Sequence, residues 1–417
     1  MSRGSDSQPG PHRNVAEVAD PYSVTVRPEW PALIGLDWAR SILDWQDDRI
    51  VHLPRGISRH EVRFIALEGA TFALKELPDR LARREYNALR RLEELGGSAA
   101  RPAGLVLRRL LDPGSEQSGL VITRYVDYSF SYRELLSGES FGPRRDQLLD
   151  AFAFLLVELH LLGCFWGDCS LSNVLYRYDA GAIETLLVDA ETTELHPRLS
   201  DGQRQHDLSI MIENVGGEMG DIAAEQGLSL DQADLGLGDD IARRYDRLWT
   251  ELGTEQTIPA DRQYLITERI HRLNELGFQV DELELIPHPG HDHLHLRLKV
   301  GDRNFHSGRL RELTGVEAAE NQARQILSDL RYFEVKHGTE PAKPLLRMRW
   351  RVEEFEPWLR RLARHLPRGA DPVQAYCDLL HHRYLLSAAA GRDVGTEAAF
   401  QHWVTSDRPG YPLAGDA

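Results

Sequence analysis

The chain has 417 residues, enough for two or three domains, and its 41% hydrophobic and 27% charged residues are typical of soluble globular proteins. A formal net charge of −16 argues against broad binding to nucleic acid or anionic membranes. No apolar run reaches the length of a membrane span, and the N-terminus lacks the hydrophobic core of a signal peptide. The three cysteines form neither a disulfide framework nor a zinc motif. We therefore expect a cytoplasmic protein without an integral membrane segment.

The first part of the chain combines a polar tail with a strand-rich segment. Residues 1–20 are rich in Ser, Gly and Pro and are predicted to form a disordered tail. From Trp30 to Trp45 the apolar spacing favours a helix broken near Gly35. Two strand-like runs around the turn Glu68-Gly69 are then predicted to pair as a hairpin: Val62–Leu67 and Thr71–Leu77.

The remaining elements follow in a regular order. A helix at 78–97, strands at 106–111 and 120–125, an apolar helix at 148–162 and a strand at 186–189 complete the first 255 residues. Beyond them we expect a helix at 264–276, strands at 278–286, 292–300 and 304–310, and helices at 316–333, 352–366 and 372–389. The predicted units are a lobe at 21–126, a helical lobe at 127–255, a small α+β module at 256–336, and a helical segment with a loose tail at 337–417.

A lysine in the hairpin and a glutamate in the next helix are predicted to form an ion pair. In Phe72-Ala73-Leu74-Lys75 the lysine shares a strand face with Ala73, whose small side chain leaves room for a flat ligand. Glu85 lies on the apolar stripe of the helix, where an unpaired carboxylate is costly. Lys75 is the expected partner, with the neighbouring arginines of the helix as competitors.

A short loop after the apolar helix combines a carboxylate and a carboxamide. Asp168 precedes Asn173 by five residues, and the strand Leu186-Leu187-Val188-Asp189 ends in a second carboxylate. ATP-dependent phosphoryl transfer needs one carboxylate beside the attacking hydroxyl, and an Asn and an Asp to hold the metal. Each residue alone is explained as a turn residue. The order of lysine, glutamate, Asp-x4-Asn and strand-end Asp is a much rarer coincidence.

Glu191 and Asp207 can each be interpreted as a structural residue or as a functional one. Glu191 is expected to be a solvated loop carboxylate, and assistance to a second metal is the alternative. Asp207 is expected near the N-cap of a helix that begins at about Gln205. A brace on the catalytic loop through backbone N–H groups is compatible with that position.

These residues together resemble the protein-kinase-like superfamily. Phe72-Ala73-Leu74-Lys75 is similar to its VAIK strand, Glu85 to its αC glutamate and Asp189 to its DFG aspartate. The Gly167-Asp168-x4-Asn173 form of the loop resembles lipopolysaccharide (Kdo/WaaP-type), aminoglycoside and RIO-type kinases. The chain as a whole resembles the bacterial domain-of-unknown-function 4032 proteins.

The resemblance implies an α+β, bilobal protein-kinase-like fold with an additional C-terminal α+β module and terminal helices. It implies ATP and Mg as cofactors. Lys75, paired with Glu85, would bind the phosphates. Asp168 would be the catalytic base, and Asn173 with Asp189 would bind the metal. Further nucleotide contacts are expected from the hairpin, the glycine loop and the linker between the lobes: Gly56, Ala73, Arg124, Tyr125 and Val126.

Three departures from the kinase pattern bear on this expectation. Trp166 stands where kinases usually carry His, so the support of the metal-binding segment is expected to differ. Asp189-Ala190-Glu191 replaces DFG, so no Phe-dependent switch is expected. The segment around Gly56 has one glycine rather than three, and an ordinary hairpin turn explains it equally well.

The predicted function is therefore an ATP- and Mg-dependent phosphotransferase. Its acceptor would be a hydroxyl of a sugar, a lipid or a small metabolite, in preference to a protein. The alternatives are a nucleotide-binding pseudokinase or scaffold that binds a protein partner through its C-terminal region, and transfer of a nucleotidyl group. Nucleic acid is not an expected partner.

Overall fold

The computed structural model describes residues 22–53, 59–109, 112–136, 144–229, 234–253, 256–259, 264–287, 293–300, 303–337 and 343–410. The backbone alone is described at 253, 256–259, 264, 281–287 and 293–299. The predicted tail at 1–20 and the predicted nucleotide contact Gly56 lie outside the described residues.

The N-terminal lobe is built around an antiparallel six-stranded sheet and one helix. Its elements are β1 (Ser23–Val26), β2 (Ile50–Val51), β3 (Val62–Leu67), β4 (Ala70–Leu77), α1 (Asp79–Glu94), β5 (Pro102–Leu107) and β6 (Gly119–Arg124). The strand order is β1-β5-β6-β4-β3-β2, so β4 lies inside the sheet. The predicted hairpin is confirmed, with Val62 opposite Lys75.

The segment before β2 covers one face of this sheet. Phe72 and Leu74 of β4 form a core with Leu33, Trp38 and Ile42. The helix predicted from Trp30 to Trp45 is wrong: the segment contains only two 3₁₀ turns, Pro31–Gly35 and Ile42–Asp44. Burial against the sheet, rather than helical periodicity, accounts for its apolar residues.

The helical lobe follows a linker after β6. Its elements are α2 (Tyr132–Leu136), α3 (Arg145–Leu161), β7 (Cys164–Phe165), β8 (Val174–Asp179), β9 (Ala182–Leu187), β10 (Glu194–Leu195), α4 (Asp201–Glu225) and α5 (Leu237–Gly253). Helix α3 is buried on most faces, as its apolar sequence predicts. Strands β8 and β9 form an antiparallel hairpin between Asn173 and Asp189.

The C-terminal region contains a three-stranded antiparallel sheet of order β11-β13-β12 and a group of helices. Its elements are β11 (Gln256–Pro259), α6 (Tyr264–Glu275), β12 (Val280–Pro287), β13 (His293–Val300), α7 (Phe305–Thr314), α8 (Glu320–His337), α9 (Lys343–Arg349), a π-helix (Trp350–Phe355), α10 (Glu356–Ala363), α11 (Pro372–Ala390) and α12 (Thr396–Thr405). The strand predicted at 304–310 is wrong, since these residues open α7. His306 and Leu310, four residues apart, are both buried, which is a helical spacing.

The buried residues of this region belong to two different hydrophobic cores. Leu273 and Phe278 belong to the large core of the helical lobe, whereas α7 and α8 pack with the last helices around Trp350. The boundary predicted between 336 and 337 remains a proposal.

The turn of the β8–β9 hairpin joins the two cores. The Asp179 carboxylate, fully buried, accepts hydrogen bonds from the backbone N–H groups of Asn321 (3.0 Å) and Gln322 (2.6 Å) at the start of α8. Ala180 N donates to Gln374 Oε1 at 2.8 Å, and the Ala180 side chain packs in the C-terminal core. The C-terminal region therefore holds the hairpin that separates the two predicted metal ligands.

The sheet-rich first lobe and the helical region behind it confirm the predicted α+β, two-lobed arrangement. Among the described residues, no helix is both long and apolar enough to cross a lipid bilayer.

Candidate active site

Strand β4 presents a lysine to two acidic residues. The strand alternates, so that Phe72 and Leu74 point into the N-terminal core while Lys75 lies on the other face. Lys75 Nζ lies 3.1 Å from Glu85 Oε2 on α1 and 2.8 Å from Asp189 Oδ2 after β9. Only 1% of the Glu85 side chain is exposed. The ion pair expected from the apolar stripe of the helix is therefore formed, and Asp189 shares its cation.

The charges of this cluster are set by burial and by mutual attraction. Burial would lower the pKa of Lys75, but the adjacent Glu85 and Asp189 carboxylates outweigh it and raise that pKa above its ordinary value. Burial raises the pKa of Glu85 to about 7, against the opposing effect of Lys75. The lysine is thus charged at neutral pH whichever state Glu85 adopts, because Asp189 also faces it.

Glu191 is buried, which corrects the expectation of a solvated loop carboxylate. Its side chain is 3% exposed and lies 2.9 Å from His60 Nε2 and 3.6 Å from Lys75 Nζ, and Arg59 also pairs with it. Burial alone would raise the pKa of Glu191, but the hydrogen bond from His60 and the charge of Lys75 lower it to about 2. The two residues that pair with this carboxylate, Arg59 and His60, lie about 130 residues earlier in the chain, so no local pattern reveals the contact.

Three carboxylates offer oxygen ligands to a cation. One oxygen from each of Glu85, Asp189 and Glu191 lies within 4.8 Å of the others. Carboxylate oxygens are the donors that Mg²⁺ prefers. Such oxygens suit the predicted magnesium, but each of the three carboxylates also lies within 3.6 Å of Lys75 Nζ, so the cation that they surround in this structure is the lysine ammonium.

Asn173 lies beside Asp168, and its backbone is hydrogen-bonded to the residue before Asp189. Its Nδ2 donates to Asp168 O at 3.0 Å and to Asp168 Oδ2 at 3.2 Å. Its backbone oxygen accepts from Val188 N at 3.0 Å. No described residue donates to the Asn173 carboxamide oxygen, which leaves that oxygen available as a ligand.

Asp207 holds the start of the loop at 166–173, which carries Asp168 and Asn173. It accepts hydrogen bonds from Trp166 N at 2.7 Å and Gly167 N at 2.8 Å. Gly167 has φ +77°, which a residue with a Cβ rarely adopts. The predicted brace is thus confirmed, but the predicted capping role is wrong. Helix α4 begins at Asp201 and is capped by Ser200, which leaves Asp207 buried inside the helix.

Two more side chains of α4 hold the loop, and sequence reasoning missed both. Asn214 Nδ2 donates to Asp168 Oδ1 at 3.2 Å and to Cys169 O at 3.1 Å. Glu218 accepts from the backbone N–H groups of Leu171 and Ser172, each at 2.9 Å. Together with Asp207 they occupy one face of the helix at spacings of seven and four residues. In the sequence, these contacts could have been inferred from the row of polar residues beside the buried stripe of α4.

Trp166 is a core residue. Its ring is fully buried and stacks on Phe152 with a centroid distance of 5.8 Å. Its backbone oxygen accepts from Thr192 Oγ1 at 2.9 Å, three residues beyond Asp189. The segment that carries Asp189 therefore contacts the loop through the backbone of Trp166.

Among the linker residues Arg124, Tyr125 and Val126, two backbone N–H groups are already bonded within the chain. Arg124 N donates to Arg101 O at 2.8 Å and Tyr125 N to Thr71 O at 2.9 Å. In the described part of the chain, no group accepts a hydrogen bond from Val126 N. Of the three linker residues predicted to contact the nucleotide, Val126 is therefore the one whose N–H has no acceptor among the described residues.

Two parts of the chain match the models of two protein families. Residues 69–224 match the model of the lipopolysaccharide kinase (Kdo/WaaP) family, and residues 247–407 match a domain of unknown function, DUF4032. The first match covers Lys75, Glu85, Asp168, Asn173 and Asp189. A search of curated proteins returned no match. The kinase-like fold and the two predicted family resemblances are confirmed, but the match to DUF4032 covers residues 247–407 rather than the whole chain.

Solved kinase structures are similar at low identity. One is described as "WaaP in complex with acyl carrier protein"; it is 17% identical, the match covers 54% of this chain and 99% of that one, and the TM-score is 0.35. Another is the Rio2 kinase from Chaetomium thermophilum in an ADP/Mg²⁺-phosphoaspartate complex. It is 16% identical, with 48% and 69% coverage and a TM-score of 0.30.

Proposed function

We propose that this protein is an ATP- and Mg-dependent phosphotransferase that transfers the γ-phosphoryl group to a hydroxyl of a sugar, lipid or small-metabolite acceptor. The observation that carries the proposal is the pairing of Lys75 with both Glu85 and Asp189, at 3.1 Å and 2.8 Å. A kinase requires the lysine–glutamate pair and the metal-binding aspartate in one cleft. The match of this region to a kinase family supports the assignment.

In this proposal the chain binds the nucleotide between its lobes. Val126 N, free of described acceptors, would donate to the adenine, and Arg124 and Tyr125 would line the base. Ala73, on the same strand face as Lys75, leaves room for the flat ring. Gly56 is proposed to approach the phosphates.

Asp168 is the proposed general base. It would accept the proton of the acceptor hydroxyl as that oxygen bonds to the γ-phosphorus and the bond to the β,γ-bridging oxygen breaks, which releases ADP. Asn173 and Asp189 would hold Mg²⁺, with Glu191 near enough to Asp189 to assist. When bound, the metal neutralises charge on the phosphates. Lys75 would contribute a fixed positive charge to the same phosphates.

The deciding experiment is transfer of label from γ-labelled ATP to a metabolite and lipid extract. We expect Mg-dependent labelling by the wild type, and none above background by Asp168→Asn, which should still bind ATP. Label found only on proteins would contradict the acceptor class. Wild-type protein that binds ATP without consuming it would identify a pseudokinase, and transfer of label from α-labelled ATP to the acceptor would identify nucleotidyl transfer.

We further propose that the reaction takes place in the cytoplasm, where ATP is abundant. The three cysteines are all free and buried, which suits a reducing compartment.

A further inference from the structure

Arg59 and His60 lie between β2 and β3 and contact the segment that follows β9. Both side chains pair with Glu191, two residues beyond Asp189, and His60 Nε2 lies 2.9 Å from Glu191 Oε2. Glu191 N in turn donates to Asp189 Oδ1 at 3.3 Å. The end of the connection between β2 and β3 is therefore joined to the segment that carries the proposed metal ligand Asp189.

The two residues differ in how firmly the structure holds them. His60 is buried and contacts a second carboxylate, since its Nδ1 lies 2.8 Å from Glu116 Oε2. The Arg59 side chain is 67% exposed, and among the described residues only Glu191 accepts a hydrogen bond from its guanidinium group. A guanidinium group carries five N–H donors. In the described part of the chain, most of the donors of Arg59 therefore have no acceptor.

The charge of Arg59 acts on the proposed catalytic residues. Its hydrogen bond to Glu191 and the charge of that carboxylate raise the pKa of Arg59, and the charges of Asp189 and Asp168 raise it further. Lys75 Nζ lies within 3.6 Å of three carboxylates, whereas the described ion pairs of Arg59 include one. Arg59 therefore has positive charge to offer to a ligand close to the proposed base and metal ligand.

Transfer of Arg59 from Glu191 to a ligand would leave no buried charge unpaired. Glu191 is 3% exposed, and it would keep His60 at 2.9 Å and Lys75 at 3.6 Å as partners. Removal of the last cation from a buried carboxylate is strongly destabilising, but this exchange does not remove it. The exposed arginine can therefore change its partner while the rest of the cluster stays intact.

We propose that Arg59 is a phosphate-binding residue that contacts the terminal phosphate of a bound nucleoside triphosphate. Its guanidinium group would exchange Glu191 for phosphate oxygens, which match the paired N–H donors of arginine. The terminal phosphate is the expected partner because Arg59 lies in the field of Asp168, the proposed base, which must stand beside the group that is transferred. The proposal rests on the proposed phosphotransferase function, in which this cleft binds ATP.

The test is calorimetric titration of the full-length protein, in the presence of Mg²⁺, with ADP and with the non-hydrolysable triphosphate AMP-PNP. Arg59→Ala should weaken the binding of AMP-PNP by about tenfold, the effect of one lost charge-assisted contact, and the binding of ADP by less than about twofold. Arg59→Lys should bind AMP-PNP with intermediate affinity, because it keeps the charge but loses the planar pair of donors.

Arg40→Ala is the matched control in the same lobe. The Arg40 side chain is 69% exposed and pairs with one carboxylate, that of Asp37 at 3.3 Å. It lies between Trp38 and Ile42, which pack on the face of the sheet opposite Lys75. Both ligands should therefore bind to Arg40→Ala as they do to the wild type. Thermal melts of each variant verify that the fold is intact.

The other outcomes separate this proposal from the proposed function. Wild-type affinity of Arg59→Ala for AMP-PNP would overturn this proposal alone and leave the phosphotransferase standing. Losses by the same factor for AMP-PNP and ADP would also overturn it, since Arg59 would then not act on the terminal phosphate. Failure of the wild type to bind either ligand would contradict the proposed function, and this proposal with it.

Discussion

The carboxamide of Asn214 donates to Asp168 Oδ1 at 3.2 Å, while that of Asn173 donates to the other oxygen, Oδ2, also at 3.2 Å. The two amides belong to different elements, α4 and the catalytic loop itself. Each oxygen of the proposed base is thus held by a different amide before an acceptor arrives. Such preorganisation raises turnover because the base needs no reorientation during the reaction.

Replacement of Asn214 by Leu should lower kcat by about 10- to 100-fold, the range for loss of one hydrogen bond to a charged group. The KM for ATP should change little, because Asn214 contacts neither Lys75 nor the linker. Steady-state assays with labelled ATP measure both constants.

The exposed neighbour Glu213→Gln is the control for that variant, and it should behave as wild type. In an Asp168→Asn background, Asn214→Leu should cause no further loss of residual activity, since its effect passes through Asp168. An equal loss of activity in the wild-type and Asp168→Asn backgrounds would show that Asn214 does not act through Asp168.

Substitutions of Lys75 and of Glu85 should have unequal effects on activity. Lys75→Met should reduce kcat/KM for ATP far more than Glu85→Gln does. The reason is that Asp189 and Glu191 still face the lysine when Glu85 is neutral, at 2.8 Å and 3.6 Å from Nζ. Rate measurements over a range of ATP concentrations check this order. Equal losses in the two variants would show that Glu85 alone positions the lysine.

The Lys75–Glu85 pair was predictable because a carboxylate on the apolar stripe of a helix needs a cationic partner. Lys75 lies on the strand directly before that helix. The hairpin and the buried helix α3 were predictable for a similar reason: their patterns lie within single elements. These features depend on local spacing.

Other features depend on contacts that the fold alone brings together. Glu191 is buried by His60, and Asp168 is held by Asn214, 46 residues further along the chain. The residues at 304–310, predicted as a strand, form a helix because His306 and Leu310 are buried and the N–H groups of the first turn bond to Glu320. Tertiary packing overrides local pattern at such positions.

Glu191 should make the protein sensitive to acid. Its folded pKa of about 2 lies below the ordinary 4.5, so the unfolded chain binds more protons between these values. Its stabilising contribution is thus complete above pH about 4.5 and is lost as pH falls towards 2. Urea unfolding at pH 7, 4.5 and 3 should show that the difference between wild type and Glu191→Gln shrinks with acidity. The exposed Glu194→Gln is the control, and a difference that is constant across pH would refute the assignment.

Asp179 should stabilise the junction between the hairpin and the C-terminal core. Asp179→Ala leaves Asn321 N, Asn321 Nδ2 and Gln322 N without their acceptor, so we expect a loss of about 3 kcal/mol in the free energy of unfolding. Urea unfolding measures the loss, with the exposed Asp246→Ala as a control that should cost less than about 0.5 kcal/mol. Hydrogen exchange should rise first at the start of α8, where the freed N–H groups lie. Unchanged protection there, together with wild-type stability, would mean that the C-terminal region does not depend on this carboxylate for its attachment to the hairpin.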